Sequence, residues 1–306
     1  MSALYSNLGV GKQAHWAVMK RRREREDQFL LLEAILKEER QKHPAMSLKK
    51  LYLRIAPDFI GRDLFIAWCR ANGYETPIPH RFHATTRSGE RWDYPNLCHD
   101  LIVTAIDRLW ISDITYFKIG GVFFYIVFIM DAYSRKILGY CASSNLFAEA
   151  NLKALKMALE CRGVENYRGQ IIHHSDRGGQ YRSRVYTEEL QAHGFQISMG
   201  NCVFDNAQME SHNGIMKNEY LKHRPIFSGE DLSRFLAQDV RLYNEERPHG
   251  SLNMMTPNEF ERYICNIPLD QRARLPVYSD KSKKHKLLVL KPDDQQLKIN
   301  FPGLIL

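Results

Sequence analysis

Three acids in the 306-residue sequence are of a type and placement that could do chemistry together: Asp113, Asp176 and Glu210. Asp113 lies inside a strand-like run, Trp110-Ile-Ser-Asp-Ile-Thr-Tyr-Phe117. Asp176 follows a short apolar strand that starts at Ile171, in HHSDRGGQY, with an arginine and two glycines behind it. Asp and Gly after a strand ordinarily make a turn, so Asp176 on its own reads as a turn residue. Glu210 falls in the first turns of a helix that the pattern places from Asn206 to about Leu221. Three carboxylates offer hard oxygen donors, which suit magnesium: the ion takes one or two carboxylates and leaves positions for phosphate and water. Two such ions ~3.5–4 Å apart activate a nucleophile and stabilise the leaving oxygen of a phosphodiester.

The acids matter only if the elements bring them together. From Leu109 the pattern gives strands at 110–117, 122–130 and 136–143, with Gly120-Gly121 as the turn of the first hairpin. A helix at 147–161 with apolar Leu152, Leu155, Met157 and Leu159 follows, then a strand at 171–174. A helix at 183–193 ends at Gly194, a strand covers 195–199, and the Glu210 helix closes the series. In this β-β-β-α-β-α-β-α order the first and fourth strands can be neighbours, with a helix leaning across their ends. Ahead of this α/β part the chain reads as helical. Residues 1–45 are a basic helical segment, and 46–80 hold two short helices, split at Pro57 and Gly61, that are compatible with a helix-turn-helix. Residues 81–104 read as a linker, 105–262 as the α/β core and 263–306 as a tail without a motif.

Other candidates are weaker. His173-His174 invite a transition metal, but neighbours on a strand point to opposite faces. His80, His83, Cys69 and Cys98 lack a zinc spacing. Asp131 reads as a turn residue, and Glu245 and Glu246 as surface acids on a helix. Lys217 lies two turns after Glu210 on the same face, a position for a phosphate contact or for a solvated lysine. Two further acids compete to complete the trio. Asp205 sits where a helix N-cap belongs, with Gln208 three residues on. Glu219 projects to the face opposite Glu210, while Met209, Met216 and Tyr220 share the face expected on the sheet.

Composition bounds the rest. A chain that is 44% hydrophobic and 25% charged is ordinary for a globular protein. Its net charge of +8 points to a polyanionic partner. The charge is concentrated in Lys20, Arg21, Arg22, Arg23 and Arg25 and again in Lys281, Lys283, Lys284 and Lys286. Six scattered cysteines without a C-x-x-C pair argue for reduced thiols and a cytoplasmic setting. The longest apolar run, Gly121–Met130, is too short to span a bilayer, and no secretory signal is visible, so no membrane partner is expected.

WISDITYF, HHSDRGGQY, DNAQMESHNGIMKNEYL and YNEERPHGSLNMMTP, taken in this order, resemble the catalytic core of the DDE transposases in the IS-three family of bacterial insertion sequences. The family is related to retroviral integrases and has a ribonuclease H-like fold. The resemblance is close over residues 100–262 and looser over 45–80. It implies a ribonuclease H-like mixed sheet flanked by helices and preceded by an all-helical region. It also implies that Asp113, Asp176 and Glu210 are metal-binding catalytic acids for two Mg²⁺ ions, with Mn²⁺ as a substitute. Arg177, Gly178, Gln180 and Tyr181 match the loop behind the second acid, and Arg247, Pro248 and His249 match a downstream motif. The spacing between Asp176 and Glu210 is shorter than the family commonly has, with the shortening in SMGNCVFDNA.

The implied activity is hydrolysis of a phosphodiester at an element end, followed by attack of the freed 3′-hydroxyl on a second phosphodiester. Expected partners are element-end and target DNA, further copies of the chain on that DNA, and an upstream-encoded helix-turn-helix protein. The setting is cytoplasmic and nucleoid-associated. Lys20, Arg21, Arg22, Arg23, Arg25, Arg177, Lys217 and Arg247 are the expected phosphate contacts. The rival readings are a catalytically inactive DNA-binding relic and a plain ribonuclease H-type nuclease.

Overall fold

The charged N-terminal stretch forms one long helix. In the computed structural model, which describes residues 11–76, 94–163, 171–200 and 207–276, α1 spans Lys12–Lys42. Its first half is almost entirely exposed. Its second half buries Leu32 and Leu36, four residues apart and so on one face. That face packs with α2 (Leu48–Ile55) and α3 (Arg62–Ala71) around Met46, Leu51, Ile60, Phe65 and Cys69. Arg40 fastens the turn after α1 by donating to the carbonyls of Met46 and Tyr74 at 2.7 and 2.8 Å. Arg54 of α2 pairs with Glu39 of α1 at 2.8 Å. A helix with a single apolar stripe must cover it, so the segments expected as 1–45 and 46–80 share one core, and 45 is not a domain boundary.

Asn218–His223 groups with this helical unit rather than with the sheet. Ala45 N–H donates to the carbonyl of Glu219 at 3.2 Å, and the Tyr220 hydroxyl lies 3.1 Å from His43 Nδ1.

The remaining described residues form the second unit. Its strands are β1 (Ile102–Val103), β2 (Leu109–Ile119), β3 (Val122–Asp131), β4 (Ile137–Ser143), β5 (Ile172–Ser175), β6 (Gln196–Met199) and β7 (Leu275–Pro276). Five of them make one sheet in the order β4-β3-β2-β5-β6. β2, β3 and β4 are antiparallel, and β5 and β6 add in parallel. This is the ribonuclease H-like mixed sheet. The β2–β3 turn falls on Gly120 and Gly121, both at positive φ, as a tight hairpin requires.

One face of the sheet carries α4 (Ala148–Arg162) and α5 (Arg184–Ala192) over Trp110, Val127, Ile129 and Leu138. Ala150, Ala154 and Ala158, at intervals of four, let α4 approach closely. Gly139 of β4 completes that fit, because a Cβ there would collide with the Ala154 carbonyl. Three more helices follow: α6 (Ala207–Ile215), α7 (Gly229–Glu245) and α8 (Pro257–Cys265). α8 opens on a capping box between Thr256 and Glu259, with Pro257 in the first turn.

The core is larger than the sequence boundaries suggest. Tyr94 packs on it, Leu97 N–H donates to Ser198 Oγ at 2.8 Å, and β1 pairs with β7. The Tyr133 hydroxyl donates to the Ala273 carbonyl at 2.9 Å. The expected linker from 94 onward and the expected tail up to 276 therefore belong to the core. His80, His83, Asp205 and the lysines from Lys281 to Lys286 lie outside the described residues.

Candidate active site

Strand register brings the first two acids together. β2 and β5 are adjacent and parallel, with Ile111 paired to His174. Asp113 and Asp176 each lie two residues further on, so they are level, and two residues is one period of the pleat, so they leave on the same side. β5 ends at Ser175, which leaves Asp176 just past its tip.

α6 supplies the third acid. Asn213 donates its side-chain amide to Asp113 Oδ2 at 2.7 Å, which anchors α6 against β2. Glu210 is three residues earlier, on the same helical face, and is exposed. Electrostatics agree with the convergence. Burial pushes the Asp113 carboxyl up to about 7, and the negative charges of Asp176 and Glu210 add to the rise. The Ile114 backbone and the Asn213 amide oppose it. Burial also raises Asp176, against a hydrogen bond of 2.9 Å from Gly178 N–H to its Oδ1. Among the described residues no three His, Cys, Asp or Glu side chains close on a single point that could hold a metal ion. An arrangement with two carboxylates per ion does not need such a point.

The loop behind Asp176 is pinned from both ends. Gln180 Nε2 donates to the Leu146 carbonyl at 2.9 Å. Tyr181 is buried with its hydroxyl 2.8 Å from Ser112 Oγ, and that Oγ donates to the Phe128 carbonyl at 2.9 Å. The loop thus hangs from the residue next to Asp113.

Two models described as "Integrase core domain" match this unit, one over residues 104–202 and one over 198–257. A protein of insertion sequence element IS986/IS6110 from Mycobacterium tuberculosis is 36% identical over 162 residues, 51% of this chain and 58% of the relative. The chain thus spans little more than half the length of that relative. The transposase InsF for insertion sequence IS3A from Escherichia coli K12 is 29% identical over 189 residues, 61% of this chain and 63% of the relative. The 31 kDa protein of insertion element IS600 from Shigella sonnei is 32% identical over 211 residues, 67% of this chain and 76% of the relative. The chain belongs to the IS-three family of DDE transposases.

The family's RPH motif takes a place that its charge does not suggest. Arg247 is buried at 2% exposure, with its guanidinium 5.7 Å from the centre of the Tyr243 ring and Nη1 3.0 Å from His249 Nε2. Expected at DNA phosphates, it is enclosed here and supports α6 instead. His249 stands edge-on to Tyr243 at 4.9 Å, Tyr243 to His212 at 4.9 Å, and His212 to Phe128 at 4.8 Å. Phe128 is the residue opposite Asp113 in β3. The RPH motif is therefore joined through three ring contacts to the helix of Glu210 and the strand partner of Asp113. His212 is buried, and neither of its ring nitrogens has a hydrogen-bond partner among the described residues. Burial, with Arg247 and Arg135 nearby, holds its pKa down to about 3, so it acts as a neutral ring.

Beyond Ile215 the family helix departs from an α-helix. Met216–Tyr220 is a π-turn, which widens the turn and rotates the residues after it about the helix axis. Tyr220, expected on the sheet, turns to His43 instead. Lys217 is half-buried, with Nζ 5.0 Å from the centre of the Tyr116 ring. Arg177 is half-buried behind Asp176. Lys20, Arg21, Arg22, Arg23 and Arg25 are exposed on α1, with Lys20 paired to Glu24 at 3.8 Å and Arg22 to Glu26 at 3.0 Å.

The remaining candidates are structural. His173 meets the Tyr186 hydroxyl at 2.9 Å, and His174 meets Ser198 Oγ at 2.9 Å, in separate hydrogen bonds. Asp131 is fully buried in the β3–β4 turn and accepts from Ser134 and Asp107 backbone N–H groups, both at 2.7 Å. Cys69 and Cys98 are buried in the cores of different units.

Proposed function

We propose that this chain carries out metal-dependent DNA strand transfer. It hydrolyses a phosphodiester at an insertion-sequence end and joins the freed 3′-hydroxyl to target DNA. The observation that carries the reading is that Asp113, inside β2, and Asp176, just past the tip of the adjacent parallel β5, lie two residues beyond the paired Ile111 and His174, with the helix of Glu210 fastened to Asp113 by Asn213. The donor set fits Mg²⁺ or Mn²⁺: all three side chains are carboxylates, and two are held where their negative charges oppose one another. Asp113, Asp176 and Glu210 would hold the ions. When bound, the ions would lower the pKa of the nucleophile and stabilise the leaving oxygen.

The chain's own residues set up that chemistry. Asn213 fixes one oxygen of Asp113, and Gly178 N–H fixes one oxygen of Asp176. Each aspartate is thereby oriented with its other oxygen presented. A Cβ at Gly178 would sit 3.0 Å from Asp176 Oδ1 and from Gln180 Oε1, a tight contact that would press on the Asp176 carboxylate. Arg177, Lys217 and the exposed cations of α1 would meet phosphates. The reading includes further copies of the chain on the DNA, an upstream-encoded helix-turn-helix partner and a cytoplasmic, nucleoid-associated setting. Among the described residues no helix is long and apolar enough to cross a membrane.

The test is purified protein on end-labelled DNA carrying the ends of the element that encodes the chain, with and without Mg²⁺. Cleavage at the end followed by a joined product supports the reading. Cleavage that never yields a joined product marks a plain nuclease, and binding without cleavage marks an inactive relic. Undiminished cleavage in EDTA would overturn metal dependence.

A further inference from the structure

Strand pairing does not by itself hold Asp176 against β2. The ladder between β2 and β5 ends at Ile111 with His174, and β5 ends at Ser175. Asp176 is the first residue past it, on a loop, and loops place a side chain less precisely than strands do. A run of hydrogen bonds closes the gap. Gly178 N–H donates to Asp176 Oδ1 at 2.9 Å, and Tyr181 N–H donates to the Gly178 carbonyl at 3.1 Å. The Tyr181 hydroxyl then lies 2.8 Å from Ser112 Oγ. Ser112 Oγ spends its own proton on the Phe128 carbonyl at 2.9 Å, so in the Tyr181–Ser112 bond the phenol is the donor. The run starts on the carboxylate of one acid and reaches the residue before the other.

Core packing explains the Tyr181 ring but not its hydroxyl. The ring meets Tyr186 edge-on at 5.6 Å inside the apolar cluster, where phenylalanine would pack as well. Ser112 is equally unneeded for packing. It is fully buried and shares a face of β2 with Trp110 and Ile114, which both pack in that cluster. Two hydroxyls in an apolar layer cost desolvation, and what their bond adds is a fixed distance between β2 and the Asp176 loop. Carboxylates that serve one metal site need placement to within about 0.5 Å. We propose that Tyr181 is a positioning residue for the metal site, its hydroxyl holding Asp176 level with Asp113 through Ser112. This rests on the strand-transfer reading, and it gives a buried tyrosine outside the three acids a share in metal affinity.

The experiment titrates Mn²⁺ into the full chain without DNA and reads the free ion by electron paramagnetic resonance. It compares the wild type with Tyr181→Phe, Tyr133→Phe and Asp176→Asn. Tyr181→Phe keeps the ring and leaves Ser112 its bond to Phe128, so it strands no buried donor. Tyr133→Phe drops a comparable phenol bond outside the run, the one to the Ala273 carbonyl. Tyr181→Phe should weaken Mn²⁺ binding about 10–100-fold, as loss of a ligand's supporting partner does. It should raise the Mg²⁺ concentration for half-maximal cleavage by a similar factor. Tyr133→Phe should leave both unchanged, even where the two variants melt at the same temperature. Wild-type Mn²⁺ affinity in Tyr181→Phe would overturn the proposal. So would an equal loss in Tyr133→Phe, which would trace the effect to stability alone. A wild type that takes up no Mn²⁺, or whose uptake survives Asp176→Asn, fails differently: it sinks the reading of the acids as the metal site itself.

Discussion

Asn213 donates its amide to Oδ2 of Asp113 at 2.7 Å, while its own Oδ1 is buried with no hydrogen-bond partner among the described residues. The bond joins α6 to β2, the two elements that must hold their carboxylates in register. It also favours the charged form of Asp113 against burial and against Asp176. Asn213→Ala should therefore lower single-turnover cleavage roughly 10–100-fold and raise the Mg²⁺ concentration needed for half-maximal rate, in the range seen for lost outer-shell partners. DNA affinity should stay within about threefold, since a lost neutral contact inside the site touches no phosphate. An unchanged Mg²⁺ requirement would show that the bond does not position the acid.

The third acid can be settled by a pair of substitutions. Glu210 shares a helical face with Asn213 and lies close enough to raise the pKa of Asp113. Glu219 groups with the helical unit, where its carbonyl accepts from Ala45. Glu210→Gln should abolish cleavage and leave DNA binding intact, while Glu219→Gln should stay active within about threefold, as expected of changes away from a buried or catalytic feature. Cleavage assays with filter binding on the same preparations decide it; an active Glu210→Gln protein would mean that another acid completes the trio.

The raised carboxyl pKa also predicts a pH effect on the metal-free protein. Folding lifts Asp113 from 3.8 to about 7, so the folded chain holds that proton more tightly than the unfolded chain. The penalty for ionising it is absent below about pH 4, grows through neutrality and is complete above about pH 7. Asp113→Asn should then raise the melting temperature at pH 8 by roughly 2–8 °C, corresponding to ~1–2 kcal/mol for a partly exposed group, and leave it unchanged near pH 4. Adding Mg²⁺ at pH 8 should stabilise the wild type more than the variant. Thermal melts across pH in EDTA and in Mg²⁺ check both; a gain at pH 4 equal to that at pH 8 would place its cause elsewhere.

How much of this is legible in the sequence depends on which force sets each feature. The strands and helices from Leu109 to Ile215 are legible because alternation and helical period follow from burying one face. The acids are legible as residue types. That Asp113 and Asp176 are level is not, because register depends on pairing between distant segments, here Ile111 with His174. Asn213 carries one usable signal, its position three residues after Glu210, but asparagine in a helix is too common to stand out. The π-turn at Met216–Tyr220 defeats a projection at 3.6 residues per turn, which is why Tyr220 falls on the wrong face. Arg247 is misread for a different reason: an arginine in a basic chain suggests a phosphate, and only the surrounding rings show that it is enclosed.

That enclosure gives Arg247 a distinctive behaviour. A phosphate-contacting arginine, when removed, weakens binding across sequences and lowers the slope of log affinity against log salt by ~0.9. A buried arginine beside a ring, when removed, opens a cavity and loosens what it supports. Arg247→Ala should destabilise the protein by roughly 2–4 kcal/mol and leave the salt slope unchanged. Lysine should rescue poorly, because it lacks the forked, planar guanidinium that sits near the Tyr243 ring and His249. The damage should travel along the rings, so Tyr243→Leu and His212→Leu should likewise slow cleavage more than they weaken binding. Their contacts end at Phe128, directly across from Asp113, not at the DNA. Melting curves and salt-dependent binding on the same variants separate the two roles. A stable Arg247→Ala protein with a shallower salt slope would return Arg247 to the DNA surface.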